Sequence, residues 1–273
     1  MKIHVLTPRS LSHPFRFALF DFDGTISLIR EGWQSIMTGH FVEELGNTPL
    51  GRLQSETQLR HSAEELIALH TGKQTIYQCI ALGELILSLE GDPKDPQEYK
   101  DEYQRRLLVH IDERLRGLGS GTLEAEPLTV PGSYRLLEML KSRGIQLYLA
   151  SGTDENYVLD EARLLKVDGY FEERIYGAQR DYTLFSKKMV IEKIIRENHL
   201  SGAELLGFGD GYVEIENVVH AGGYAVGVAS NESERQGIDA WKEKRLLRAG
   251  AHMIIPDYSD LDGIEKALFG QEQ

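Results

Sequence analysis

Two hydrophobic patterns alternate along much of the chain. Short, nearly continuous apolar runs, which are typical of buried strands, occur at Phe17 to Phe22, Ile145 to Ala150, Leu205 to Phe208 and Ala225 to Ala229. Segments with helical character separate them, for example SYRLLEMLKSRG, where Gly144 is placed to end the helix. This alternation predicts an α/β fold, with a mainly parallel sheet and helices on both of its faces. In such folds the ligand crevice lies beyond the carboxyl ends of the strands.

The pattern changes in the first half of the chain. Between about residues 29 and 129 no convincing strand appears, and apolar residues such as Ile76 and Ile80 recur at helical spacing. We therefore predict an α-helical domain at 29–129. It is inserted into a core domain that is formed by 1–28 together with 130–273.

Composition narrows the class of protein. The chain has 273 residues, 41% of them hydrophobic, and no window approaches the roughly 18 to 20 apolar residues that span a membrane. A net charge of −13 argues against a nucleic-acid or membrane-surface partner, because both need concentrated Lys and Arg. The single cysteine, Cys79, rules out an internal disulfide, and the first 16 residues lack a secretory signal pattern. These features favour a soluble, cytoplasmic protein.

The segment FALFDFDGT carries the first candidate chemistry. Asp21 and Asp23 stand two residues apart at the end of an apolar strand, and Gly24 allows a sharp turn directly afterwards. Two carboxylates that lie together at the end of a strand can divide the chemistry between them. One can serve as nucleophile and metal ligand, and the other as general acid and base. A simple Asp-Gly turn is the alternative interpretation.

The segment GFGDGYVEIEN repeats this arrangement after another apolar run. Asp210 follows the strand, and Glu214 lies four residues later, within reach of the same metal if the chain turns at Gly211. Carboxylate oxygens are the ligands that suit Mg²⁺. The alternative is helix capping, because an acid before a helix or in its first turn complements the helix dipole.

Two further segments could bind an anion. Ser151 follows the strand IQLYLA, and its hydroxyl could donate to a phosphate oxygen beside the exposed amide of Gly152, although an N-cap would look the same. In FSKKMVIEKII, Ser186 looks like an N-cap, so Lys187 and Lys188 fall in a first helical turn, where they oppose the dipole. The energetic cost of placing a positive charge there is offset if the ammonium of one lysine faces phosphate and carboxylates. Exposure of the lysine side chains to solvent is an equal alternative.

In this order, DFDGT, Ser151, a helix-opening lysine and GDGYVEIE resemble the four motifs of the haloacid dehalogenase superfamily, especially its phosphatases. The resemblance implies a Rossmann-like core with a helical cap inserted after the first motif. It implies that Asp21 is the nucleophile, that Asp23 is the general acid and then base, and that Lys187 orients the phosphoryl group. The implied magnesium site consists of Asp21, the carbonyl of Phe22, Asp23, Asp210 and Glu214. The residues expected at the substrate phosphate are Thr25, Ser151 and Gly152.

The resemblance therefore predicts a magnesium-dependent phosphatase acting on a small phosphorylated metabolite. A sugar phosphomutase on the same scaffold and a non-catalytic sensor of phosphorylated ligands remain alternatives. In the cap, Lys73, Gln74 or Thr75 could lie over the site, or could simply begin a helix. The pattern leaves the substrate and the oligomeric state open.

Overall fold

The computed structural model describes residues 3–8, 13–199 and 201–270. The chain divides into two compact units: Met1–Glu31 with Arg114–Gln273, and Gly32–Glu113. We call them the core unit and the helical unit. The insertion predicted from the sequence, 29–129, is wider than the helical unit, and these domain limits stay a prediction.

The core unit is built on a seven-stranded sheet. Its strands are β1 (His4–Val5), β2 (Phe17–Phe20), β3 (Gln146–Asp154), β4 (Ile175–Ala178), β5 (Leu205–Gly209), β6 (Tyr224–Val228) and β7 (Met253–Ile255). They lie in the order β1-β7-β6-β5-β2-β3-β4, and every neighbouring pair is parallel except β1 with β7. The prediction of a mainly parallel sheet is confirmed, and its four predicted strands are β2, β3, β5 and β6.

The helices of the core unit follow the strands. They are α5 (Ser133–Ser142), α6 (Glu155–Leu164), α7 (Asp168–Phe171), α8 (Lys187–Glu197), α9 (Tyr212–His220), α10 (Ala240–Arg248) and α11 (Leu261–Phe269). Ser186 caps α8 as predicted, since its Oγ accepts a hydrogen bond from the amide of Met189.

The centre of the sheet is fully buried, as expected for parallel strands covered on both faces. All four residues of β2 and all five of β5 are buried. Phe20 and Phe208 lie opposite each other on these two strands, and their rings stack with centroids 4.6 Å apart. This packing fixes the register of β2 and β5, and therefore the relative height of the residues that follow them.

The helical unit contains α1 (Trp33–Gly46), α2 (Glu56–His70), α3 (Thr75–Ser88) and most of α4 (Pro96–Ser120). Its interior is lined by residues at helical spacing, such as Met37, Phe41 and Leu45 of α1. Cys79 is buried there, and burial raises the pKa of its thiol to about 12, which fits a structural residue. Gln74 is the N-cap residue of α3. None of the helices among the described residues is long and apolar enough to cross a membrane.

Replacing Leu206 by alanine should lower the free energy of unfolding by about 2–5 kcal/mol. Leu206 lies in β5 and is completely buried, so its removal leaves a cavity in the sheet core. The measurement is urea unfolding followed by circular dichroism. The matched control is Leu184→Ala, because Leu184 is 66% exposed, and this variant should stay within about 0.5 kcal/mol of the parent. Equal stability of the two variants would contradict this account of the core.

Candidate active site

The candidate residues meet at the carboxyl ends of the central strands. Asp21 directly follows β2, Asp210 directly follows β5, and Ser151 lies near the end of β3. Because β2 pairs with both β3 and β5 in parallel, these ends share one edge of the sheet. The backbone amide of Asp21 extends the β2–β5 ladder by donating to the carbonyl of Phe208 at 2.9 Å.

Lys187 connects two of the candidate acids. Its Nζ donates to Oδ1 of Asp21 at 2.7 Å and to Oε2 of Glu214 at 3.0 Å, and all three side chains are buried. Burial alone would lower the pKa of Lys187, but the charges of Asp21 and Glu214 raise it above its ordinary value. Lys188, the alternative from the sequence, is exposed and lies 3.8 Å from Glu192. The lysine that reaches the acids is therefore Lys187.

Three carboxylates form a group with the spacing of a metal site. One oxygen each from Asp21, Asp210 and Glu214 lie within 4.8 Å of one another. Burial raises the pKa of Asp21 well above its ordinary value, and Glu214 and Asp210 add to the shift while Lys187 opposes it. A cation held between these oxygens would lower that pKa and keep Asp21 ionised. The donor set is all oxygen, so it fits Mg²⁺.

Glu214 reaches this group because glycines make room for it. Its Oε1 accepts a hydrogen bond from the amide of Gly211 at 2.6 Å, which caps the start of α9. A Cβ on Gly209 would lie 2.1 Å from Cγ of Glu214. Capping was the alternative to metal binding in the sequence analysis, and the capping contact is present, while the same carboxylate also belongs to the three-acid group.

The carbonyl of Phe22, a predicted metal ligand, lies in the turn after β2 and accepts several backbone hydrogen bonds. The carbonyl oxygen of Phe22 accepts hydrogen bonds from the amides of Ile26 and Ser27 at 2.8 and 2.9 Å, and from that of Thr25 at 3.3 Å. This oxygen therefore helps to close the turn after β2, and its role as a metal ligand stays a prediction.

Asp23 also falls outside the three-acid group. Its Oδ2 accepts hydrogen bonds from the hydroxyls of Thr153 at 2.9 Å and Ser151 at 3.2 Å. Its Oδ1 is buried and has no hydrogen-bond partner among the described residues. Two hydroxyls of β3 thus hold this carboxylate in place, and its roles in proton transfer and metal binding stay predictions. The side chain of Thr153, which is not among the candidate site residues of the sequence analysis, also contacts Asp23.

A buried ion pair lies beside Asp23. Arg30 donates from Nε and Nη2 to the carboxylate of Glu161 at 2.7–3.1 Å, and both residues are almost fully buried. Nε of Arg30 also lies 3.9 Å from Oδ1 of Asp23. Burial raises the pKa of Glu161, while Arg30 opposes this shift. Neither Arg30 nor Glu161 is among the candidate site residues of the sequence analysis.

A second lysine lies beside Asp210. Nζ of Lys242 lies 2.8 Å from Oδ2 of Asp210 and 2.7 Å from Oε1 of Glu232, and Lys242 is only 4% exposed. Sequence reasoning missed this residue. A signal was present, since Lys242 falls four residues before Leu246 on the buried face of α10.

Two predicted phosphate-binding residues have different surroundings. Thr25 is fully buried, and its Oγ1 has no hydrogen-bond partner within the described part of the chain. Its carbonyl accepts a hydrogen bond from the hydroxyl of Tyr258 at 2.9 Å, which ties the turn after β2 to the segment before α11. Gly152 lies in β3 and is half-buried. Binding of phosphate by Thr25, Ser151 and Gly152 stays a prediction.

Comparison with known proteins identifies the family. A family model described as haloacid dehalogenase-like hydrolase matches residues 15–222, which is most of the chain. No curated protein matches the sequence.

Solved structures share the fold over nearly the whole chain. A predicted phosphoglycolate phosphatase from Haemophilus somnus 129pt has a TM-score of 0.60 and 18% identity, over 92% of this chain and 97% of that one. A β-phosphoglucomutase from Clostridium difficile gives 0.59 and 15%, over 93% and 97%. A hydrolase from Pseudomonas syringae gives 0.58 and 19%, over 93% and 99%. These similarities confirm the predicted fold class.

Replacing Arg30 by methionine should cost about 3–5 kcal/mol of unfolding free energy, because it leaves Glu161 as an uncompensated buried charge. Replacing both partners, Arg30→Met with Glu161→Leu, should restore most of that loss. Urea unfolding of the three proteins measures both effects. The control is Arg163→Met, which breaks an exposed pair with Asp160 on α6 and should cost less than about 1 kcal/mol. A double variant that is as unstable as the single one would show that the pair is not the cause.

Proposed function

The chain belongs to the haloacid dehalogenase-like hydrolases, and on that basis we propose that it is a magnesium-dependent phosphatase. Its substrate is a small phosphorylated metabolite, and the reaction passes through a phosphoaspartate on Asp21. The observation that carries this proposal is the position of Asp21 at a sheet edge, held by Lys187 and grouped with Asp210 and Glu214.

In the first step, a carboxylate oxygen of Asp21 attacks phosphorus, and the bond between phosphorus and the leaving oxygen breaks. The ammonium of Lys187, 2.7 Å from Oδ1 of Asp21, holds the nucleophile in place and offers positive charge to the phosphoryl oxygens. Bound Mg²⁺ would be held by Asp21 and Asp210, with Glu214 in support, and would neutralise charge on the transferring group.

Asp23 moves the proton in both steps. It protonates the departing alkoxide, and then it takes a proton from the water that attacks the phosphoaspartate and releases inorganic phosphate. The hydroxyls of Ser151 and Thr153 orient its carboxylate. Release of a halide needs no such acid, so the presence of Asp23 supports phosphate chemistry over dehalogenation.

The same residues would serve transfer of the phosphoryl group to a second sugar hydroxyl. A requirement for a sugar bisphosphate activator would identify that phosphomutase reaction. A sensor of phosphorylated ligands would bind them without turnover. We retain the cytoplasm as the proposed location, and the buried thiol of Cys79 suits a reducing compartment.

The proposal predicts Mg²⁺-dependent phosphate release from at least one member of a panel of sugar phosphates, nucleotides, phosphoamino acids and an aryl phosphate. EDTA should abolish this release. Asp21→Asn should lower the rate by at least about a thousandfold, because the amide oxygen is a poor nucleophile. The measurement is a colorimetric phosphate assay with each compound, run with and without a sugar bisphosphate.

The matched control is Asp262→Asn, the same change at an exposed aspartate on α11, which should leave the rate unchanged. Release that persists in Asp21→Asn would assign the nucleophile to another residue. Tight binding of a phosphorylated ligand with no release of phosphate would favour the sensor.

A further inference from the structure

Lys242 makes three close contacts at the edge of the proposed metal site. Its Nζ lies 2.8 Å from Oδ2 of Asp210, 2.7 Å from Oε1 of Glu232 and 3.1 Å from Oγ of Ser230. An ammonium group has three protons to donate, so these three partners use all of them. The catalytic steps proposed above make no use of this residue.

The position of Lys242 is costly for the local structure. It lies in the first turn of α10, after the N-cap Asp239, where a positive charge opposes the helix dipole. It is also 4% exposed, and a buried ammonium loses its hydration. The contacts with Asp210 and Glu232 offset the unfavourable helix dipole and the lost hydration, and they keep the side chain of Lys242 buried.

The contacts of Lys242 link the two acidic loops. Oγ of Ser230 donates to the carbonyl of Gly24 at 2.6 Å, so Lys242 connects Asp210 through Ser230 to the turn that follows Asp21. Gly24 has a φ of +74°, and a Cβ there would lie 2.2 Å from Oδ2 of Asp210. The carboxylate of Asp210 is therefore confined between the backbone of Gly24 and the ammonium of Lys242.

We propose that Lys242 is a positioning residue that fixes the carboxylate of Asp210 for metal binding. This inference rests on the metal site of the proposed function. By holding Oδ2, Lys242 leaves Oδ1 of Asp210 to bind the cation. Groups that orient a metal ligand in this way typically contribute about 10–100-fold to metal affinity.

The direction of the change in Mg²⁺ affinity distinguishes a positioning role of Lys242 from a purely electrostatic one. Loss of a nearby positive charge would by itself strengthen cation binding, because it removes a repulsion. Loss of a positioning contact weakens binding. The double variant Lys242→Met with Glu232→Gln removes one positive and one negative charge, so it leaves the net charge of the site unchanged. It also avoids leaving Glu232 as an unpaired charge, which could unfold the single variant.

The experiment is calorimetric titration of Mg²⁺ into the full chain without substrate. For both Lys242→Met and the double variant, we expect at least about tenfold weaker binding than in the parent. Lys244→Met removes an exposed lysine from the same helix and should stay within about twofold of the parent. Urea unfolding shows which variants are folded, and the double variant decides the result if the single one is not.

Turnover gives a second measurement. The Mg²⁺ concentration for half-maximal rate should rise in the double variant, while the KM for the phosphate ester at saturating Mg²⁺ stays unchanged. A loss of folding alone would not produce this separation. If the parent binds Mg²⁺ but releases no phosphate from any compound, the proposed function fails and the calorimetry still decides the role of Lys242.

Binding as tight as in the parent, or tighter, in the folded double variant would overturn the inference, because Lys242 would then act only as a charge. A parent protein that binds no Mg²⁺ would overturn it as well.

Discussion

The crowding of negative charge at one sheet edge is the constraint on which the rest of the site depends. Carboxylates that approach this closely in a buried site repel each other and resist ionisation. Lys187 compensates Asp21 and Glu214 from one side, and Lys242 compensates Asp210 from the other. Both lysines are buried in the first turn of a helix, where their charge is locally unfavourable. Each lysine stays buried because its ammonium is paired with these carboxylates.

The sheet and its turns make this arrangement possible. Parallel pairing of β2 with β3 and β5 brings three strand ends to one edge, and the stacked rings of Phe20 and Phe208 fix the register of β2 and β5. Gly24 and Gly209 then allow side chains to approach the backbone where a Cβ would collide with them. The site therefore follows from the fold in two stages: the strands bring the acids together, and the glycines and lysines determine how closely they can pack.

The local sequence pattern predicted much of the fold and of the candidate site. The residues that it missed are brought to the site by contacts between segments that are distant in the sequence. The apolar runs predicted the four central strands, and the resemblance to the haloacid dehalogenase motifs implied that Asp21, Lys187 and Asp210 belong together. The other three strands, β1, β4 and β7, are two to four residues long, too short to give a clear period. Glu161 and Lys242 are charged residues on otherwise apolar helix faces, so their roles appear only when their partners are placed beside them. The hydrogen bonds that the Phe22 carbonyl accepts also leave no sequence signal, because they join backbone groups within one turn.

The central claim is that Asp21 receives the phosphoryl group beside a metal held by carboxylates and flanked by two lysines. The most direct measurement is a crystal structure with Mn²⁺, located by its anomalous signal, and beryllium fluoride, which mimics a phosphoryl group on a carboxylate. The account predicts a fluoroberyllate on Asp21, contacted by Lys187, with Mn²⁺ bound by Asp21 and Asp210. A fluoroberyllate on another residue, or a metal away from these carboxylates, would contradict it.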